Sequence, residues 1–375
     1  MSETAPKALI IGGGIAGMAS AIALGRGGWS CTLLEQDPQR ARPGQGLLLP
    51  PGGCRALERL GVRPIEGFSA AIERYELCQA DGRLDQQFAI PGARSLLHQD
   101  LLQALQEALP AGTRLEVGGC LALAAVAGGG WEVISNSLPN RHADLIVAAD
   151  GVGSVCRRQL FPTAQLTPER TTEVVLVTRA AALVQQLRGS CRKYQDRRAG
   201  LALGLLPCSN DQLVVFAQFA SARHSPSAGP EAAALLRRCF GGWNPLLDQL
   251  LKGLDTSNSR LWRTTDLEPL PRLHDANLVL VGDSGHPLLT VTSQGASAAM
   301  EDALVLAESL ATLPTTGLAG LASGLDRYSR ARLPLLVELV REGRARQQQF
   351  LDTSSECGPA SAPLVGFGTE PILTT

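Results

Sequence analysis

The sequence predicts a mixed α/β fold (α+β overall), a nucleotide-binding domain interrupted by a β-rich module. Three observations carry that reading. An apolar strand near the N-terminus runs into a glycine turn and a helix. Two later apolar strands, ending in Asp150-Gly151 and Gly282-Asp283, return to the same texture far downstream. Between them, from about Thr171 to Leu270, the chain changes to strand-like runs. A chain of 375 residues suits one large or two intergrown domains, with ample apolar content for a core.

The first element is Ala8-Leu9-Ile10-Ile11, a short buried strand. Glycines follow as Gly12-x-Gly14-x-x-Gly17, and the chain continues through Ile15 and Ala16 into a helix reaching Leu24. This order is the context a Rossmann-like dinucleotide fingerprint requires. Gly12 permits the tight turn, Gly14 lets the backbone approach a pyrophosphate, and Gly17 lets helix and strand pack closely. The helix N-terminus offers unpaired N–H groups to phosphates. A second strand, Cys31 to Leu34, ends in Glu35 and Gln36, where an acid accepts hydrogen bonds from a ribose and repels a 2′-phosphate. The uncharged run from Ala8 to Gly25 is about the minimum length that spans a bilayer. Its glycines dilute the apolar bulk and only Lys7 precedes it, so it reads as an adenine-dinucleotide site rather than an anchor or export signal.

The next stretch, "RPGQGLLLPPGGCRALERLG", leads from a glycine-rich entry into a helix over Cys54 to Leu60. "RSLLHQDLLQALQEAL" predicts a helix with Leu97, Leu101, Leu105 and Leu109 on one face. "WEVISN" reads as a strand, and "ADLIVAADGVGS" as a buried strand and turn. "GLALGLLP" and "QLVVFAQF", joined by "CSND", form a hairpin. "GPEAAALLRRCFGGWNPLLDQLLKGL" is helical apart from a break at Asn244-Pro245. "ANLVLVGDSGH" is another buried strand and loop, followed by helices over about Ser293–Leu313 and Gly324–Phe350, the second interrupted or kinked at Pro334. The expected division is a discontinuous nucleotide domain over 1–70, 92–170 and 271–350, a β-rich substrate domain over 71–91 and 171–270, and a loosely ordered tail over 351–375.

Composition excludes several function classes. A net charge of −1 gives no electrostatic case for nucleic acid or an anionic membrane. Nine cysteines without a C-x-x-C pair point to a reducing compartment, and a cytoplasmic location is expected. The five histidines show no metal-ligand spacing, so no metal site is expected.

Three separated segments together resemble those of the group A FAD-dependent monooxygenases, the p-hydroxybenzoate hydroxylase type, and the resemblance covers Leu9 to about Gln349. The first is the glycine fingerprint with Glu35. The second is "DGVGSVCR", in which Asp150, Gly151, Ser154 and Arg157 match the family's Asp-Gly segment, linked there to FAD and the nicotinamide cofactor. The third is "GDSGHPLLTVTSQGASAAMEDA", similar to the family's flavin segment through Gly282, Asp283, His286, Pro287, Gln294, Gly295, Glu301, Asp302 and Ala303. The resemblance implies FAD as cofactor, with Asp283 accepting from a ribityl hydroxyl. It also implies a helix opening near Ser293, with Gly295 and Ala296 presenting N–H groups to the flavin's pyrimidine edge. Arg94 matches an arginine that opens a helix beside the flavin. Arg42, Gly44, Gln45 and Gly46 match the segment covering the ring and ribityl chain. His286 receives no catalytic role, and Trp131, Trp243 and Trp262 are expected to be packing residues.

The implied activity is hydroxylation with NAD(P)H and oxygen through a flavin C4a-hydroperoxide. With no second glycine fingerprint, NAD(P)H is expected to bind transiently at a surface groove. No catalytic residue is named, but Thr290, Ser293 and Gly52 are expected near the flavin. There the family usually carries proline, glycine and asparagine, and it carries asparagine at Ser297; losing the proline should loosen the loop. Alternatives that stay open are a flavoprotein reductase or dehydrogenase on the same fold, and a maturase oxidising a protein- or carrier-bound substrate. The substrate is otherwise a small molecule, met by residues between Thr171 and Leu270.

Overall fold

The computed structural model describes residues 5–37, 39, 44–62, 65–136, 143–311 and 318–353. Arg42 and most of the expected tail lie outside the described residues. The chain opens with β1 (Lys7–Ile11), α1 (Ile15–Arg26), β2 (Ser30–Glu35), β3 (Gly46–Leu49) and α2 (Pro51–Arg59). It continues through β4 (Ser69–Gln79), β5 (Leu84–Leu97), α3 (His98–Glu107), β6 (Arg114–Val117), β7 (Cys120–Ala125), β8 (Trp131–Ser135), β9 (Leu145–Ala148) and α4 (Val155–Leu160). The β-rich part holds β10 (Thr171–Arg179), α5 (Ala181–Gln186), β11 (Ser190–Asp196), β12 (Leu201–Pro207) and β13 (Gln212–Ala220). After it come α6 (Ala232–Phe240), α7 (Pro245–Lys252), β14 (Arg260–Thr264), β15 (His274–Asp275) and β16 (Leu278–Leu280). The last helices are α8 (Gly295–Ala311) and α9 (Leu318–Leu351).

Two large sheets divide the fold. A six-stranded sheet in the order β15-β16-β9-β1-β2-β6 is parallel except for β15 against β16. Its central strands β1, β9 and β16 are nearly all apolar, as covering on both faces requires, and they share one core with α1, α3 and α8. An eight-stranded sheet in the order β14-β10-β13-β12-β11-β4-β5-β3 is antiparallel except where β11 meets β4. Period-two alternation gives it two different faces. Val174 and Leu176 of β10, Val215, Ala217 and Phe219 of β13, and Tyr194 of β11 pack with α5, α6 and α7. Val175, Val214 and Cys191 turn the other way.

The structure corrects two expectations about the early chain. The run beginning at Arg94 does not open a helix; 84–97 is one strand, paired on both sides by β3 and β4, and α3 starts at His98. The expected boundary between 91 and 92 therefore falls inside β5, and β3 joins the β-rich sheet although 46–49 was expected in the nucleotide domain. Tertiary pairing overrides the leucine period here, because Leu97 caps α3 without any side-chain hydrogen bond that would mark its start. Pro334 lies inside α9, which continues past it.

Candidate functional site

The glycine turn is built as its spacing demands. Gly12 has φ +100°, and a Cβ there would lie 2.2 Å from the Ala149 carbonyl oxygen; one on Gly17 would lie 1.8 Å from the Gly12 carbonyl oxygen. Both glycines are required by close approach of the backbone itself. At Gly14, by contrast, no atom lies within 4 Å of such a Cβ, so the turn opens onto free space. Gly14 also caps α1 without a side-chain bond, and no acid occupies that helix's first turn. Its N–H groups and partial positive charge face that space. Glu35, at the end of β2, accepts from the amides of Gly13 (2.6 Å) and Asp37 (2.6 Å) and so fixes the turn from the side. Gln36 is exposed.

The Asp-Gly and Gly-Asp segments meet through Arg157. Its guanidinium donates to the carbonyls of Asp283 (3.0 Å) and Ser284 (2.8 Å), and to that of Val152. Asp150 accepts from the amides of Val155 (2.8 Å) and Cys156 (3.4 Å), capping α4, while its buried Oδ1 has no hydrogen-bond partner among the described residues. Gly151 adopts φ +75°. Gly282 adopts φ +60° and presses against Ala16 and Ala299, the space a Cβ would need. Its amide donates to Asp302 Oδ2 (2.8 Å), which His286 Nε2 also reaches (2.5 Å). His286 therefore pairs with a buried carboxylate, with Arg332 on that carboxylate's other oxygen (2.7 Å).

One cavity of ≈ 450 Å³ collects much of this. Gly14, Ile15 and Ala16 line one end, with Gly46, Gly151 and Asp283 beside them. Thr290, Ser293, Gln294, Gly295 and Ala296 form the adjoining wall. Asp283 is exposed to the cavity yet enclosed by protein; burial raises its pKa, against the lowering influence of His286 and Arg157. α8 starts at Gly295 with no acid in its first turn, and open space surrounds a Cβ at that glycine. Two helix N-termini free of acids, a glycine turn open to solvent and a carboxylate between them suit phosphates, a polyol chain and an electron-rich ring edge. These residues fit FAD.

Other expected residues stand elsewhere. Arg94 lies in β5, its guanidinium donating to Ser69 Oγ (2.6 Å) and to the Ser69 carbonyl (3.1 Å), and it does not line the cavity. Gln45 supports α3 from outside, its carbonyl accepting from the His98 amide (3.0 Å). Gly52 is buried in the first turn of α2, likewise outside the cavity lining. Trp131 donates to Asp275 (2.9 Å) and Trp243 packs on Phe240, while Trp262 packs on the sheet core with Tyr75 and Phe216 and also lines the cavity. The loop is not loosened by the threonine at 290: Thr290 Oγ1 donates to Glu173 Oε1 (2.8 Å) and ties it to β10. Ser293 takes φ +53°, the left-handed conformation that a glycine adopts freely.

The far wall holds residues that the sequence reading did not single out. Glu173, Lys193 and Gln218 project from β10, β11 and β13 into the cavity, at 6%, 8% and 2% exposure. Lys193 Nζ donates to Gln218 Oε1 (2.7 Å), and Gln218 Nε2 to Glu173 Oε1 (3.4 Å). Tyr75 and Leu48, from before the expected pocket-lining region, join them. The available signal was a charged or amide residue set inside an otherwise apolar strand, as in "TTEVVLV" and "VVFAQFA".

Residues 6–74 and 136–343 match a family model described as FAD binding domain. A 3-amino-4-hydroxybenzoate 2-monooxygenase of Streptomyces platensis is 29% identical over 382 residues, covering 93% of this chain and 90% of the relative. An FAD-dependent monooxygenase of Beauveria bassiana is 30% identical over 339 residues, covering 81% of this chain and 76% of the relative. Among solved structures, Klebsiella pneumoniae HpxO complexed with FAD and uric acid superposes with a TM-score of 0.83 at 22% identity, covering 93% of this chain and 90% of that one. The fold is thus the p-hydroxybenzoate hydroxylase type, a Rossmann-like FAD-binding sheet joined to a substrate-domain sheet. The chain belongs to the FAD-binding-domain family and is an FAD-dependent monooxygenase, with NAD(P)H as the reductant typical of its homologues.

Proposed function

We propose that this monooxygenase hydroxylates a small aromatic or heteroaromatic compound held between the eight-stranded sheet and the loop from His286 to Gln294. The carrying observation is that a single cavity joins the glycine turn, Asp283 and the start of α8 to an apolar wall of Leu48, Val175, Phe216 and Trp262. Flat side chains and aliphatic sheet residues favour a flat ligand, and they exclude water from the reacting edge. The ligands named for two relatives, 3-amino-4-hydroxybenzoate and uric acid, are small and planar, which supports the same class here.

The chain's own residues take the following roles in this proposal. Gly12, Gly14, Gly17 and Glu35 hold the adenosine diphosphate half of FAD. Asp283 accepts from a ribityl hydroxyl, and the N–H groups at Gly295 and Ala296 face the pyrimidine edge. Their partial positive charge favours the anionic reduced ring. FAD, when bound, supplies the activation of oxygen. The holoenzyme, reduced with NADH or NADPH in separate runs, is mixed with labelled oxygen and a panel of phenols, aminophenols and hydroxylated N-heterocycles. Mass spectrometry should find one labelled oxygen atom in the product. Consumption of reductant with no label in any compound would overturn the proposal.

A further inference from the structure

The far wall of the cavity carries a polar cluster with hydrogen-bonding capacity that its internal bonds leave unspent. Glu173 and Gln218 are direct cross-strand partners, so their side chains rise side by side from the same face. Lys193 reaches the same amide from β11. Between them β12 carries Gly204 at the position paired with Lys193, and the Phe216 ring fills the space above that glycine. A Cβ on Gly204 would come within 1.8 Å of the Phe216 ring.

An ammonium has three N–H donors and a carboxylate two acceptor oxygens. Among the described residues, the Lys193 ammonium makes one hydrogen bond, to Gln218, and rests 5.4 Å from the centre of the Phe350 ring. Glu173 receives Thr290 and Gln218 on Oε1, while no hydrogen bond to its Oε2 is seen among those residues. The cavity wall therefore presents donors and an acceptor separated by one amide. We infer that this Lys193–Gln218–Glu173 cluster sets the enzyme's specificity, selecting an uncharged planar substrate whose edge places an N–H or O–H beside a carbonyl or hydroxyl oxygen, over a substrate with a free carboxylate. The inference rests on the proposed use of this cavity for an aromatic substrate.

Charge decides between the two ligand classes. The Lys193 and Glu173 charges balance, and both groups are buried where solvent screens weakly. A carboxylate drawn to Lys193 would bring a second anion beside Glu173 in the same dry cluster, and the nearby buried cation, Arg346, is already paired with Glu342 (3.0 Å). Burial already pushes Glu173 up and Lys193 down, each toward its neutral form, so the site resists added charge. An amide-like or aminophenol-like edge satisfies donor and acceptor together and adds none.

The test is equilibrium binding to the oxidised holoenzyme, read by the perturbed flavin absorbance and by calorimetry. Matched probes are 4-hydroxybenzamide against 4-hydroxybenzoate and 2-aminophenol against 2-hydroxybenzoate. The uncharged member of each pair should bind at least about tenfold more tightly. Glu173→Gln, nearly isosteric, should reduce that preference, and Lys193→Met should weaken the uncharged probes. Carboxylates binding more tightly than their partners in the wild type would overturn the inference while leaving the cavity as the substrate site. Binding by neither class would overturn both readings, and wild-type preference retained in a folded Glu173→Gln variant would remove the cluster's role.

Discussion

Asp302 shows no solvent exposure, and its two oxygens hold two separate parts of the chain, the 282–286 loop and α9. The amide of Gly282 and Nε2 of His286 meet Oδ2, and Nε of Arg332 meets Oδ1. Burial alone would raise its pKa; His286 and Arg332 outweigh that and hold it below the ordinary value. A carboxylate depressed in this way contributes stability that is fully present above its unfolded pKa of about 3.9 and is lost as the pH falls through the folded value. Asp302→Asn keeps the shape but leaves Arg332 with Glu301 (3.1 Å) as its one remaining carboxylate. Breaking a buried pair outright costs about 3–5 kcal/mol, which Glu301 holds to the lower end. Denaturant titration at pH 7 should show a loss of that order, which shrinks below about pH 4 as the wild-type carboxylate itself protonates. An unchanged midpoint would remove the anchor role. Asp302 was legible as part of a matching segment, but Arg332 was not. Nothing local to an arginine on a long helix says which carboxylate it reaches.

The loop from His286 to Gln294 and the start of α8 work as one element. Ser293 ends a short 3₁₀ turn over Thr290–Thr292 in the left-handed region, and Thr290 fastens that turn to β10 through Glu173. A side chain in that conformation costs roughly 1–2 kcal/mol, and glycine avoids it at an entropic cost of about 0.5–1 kcal/mol. Ser293→Gly is therefore expected to raise stability by up to about 1 kcal/mol, seen as a higher melting temperature of the holoprotein. A lower one would mean that the serine hydroxyl contributes more than the backbone strain removes. The glycine fingerprint and the Gly-Asp segment were legible because each is a local backbone requirement. β5 was not, since its identity comes from partners on both sides, and neither was the cluster of Glu173, Lys193 and Gln218, which only cross-strand register brings together.

At the scale of the whole molecule, the two sheets are joined by more than loops. β5 leaves the substrate sheet and passes directly into α3, which packs in the nucleotide core. α9 binds both halves. Leu325, Tyr328, Leu336 and Leu339 lie in the nucleotide core. Farther along the same helix Arg344 pairs with Asp266 (2.8 Å), Gln347 donates to Thr171 (2.9 Å), and Phe350 packs on Ala202 and Ala220. A rigid helix bonded at both ends transmits loss of one half to the other, so the two sheets are expected to unfold as one cooperative unit. FAD binds mainly residues of the six-stranded half in the proposed arrangement, yet it should stabilise the whole. Saturation at a hundredfold excess over Kd contributes about 2.7 kcal/mol. Calorimetry across a series of FAD concentrations should give one transition that moves upward intact. Phe350→Ala and Arg344→Ala together, which cut the far attachment of α9, should split or broaden it. Two transitions in the wild type, of which FAD moves only one, would show instead that the substrate sheet is stable without its partner and that α9 merely lies against it.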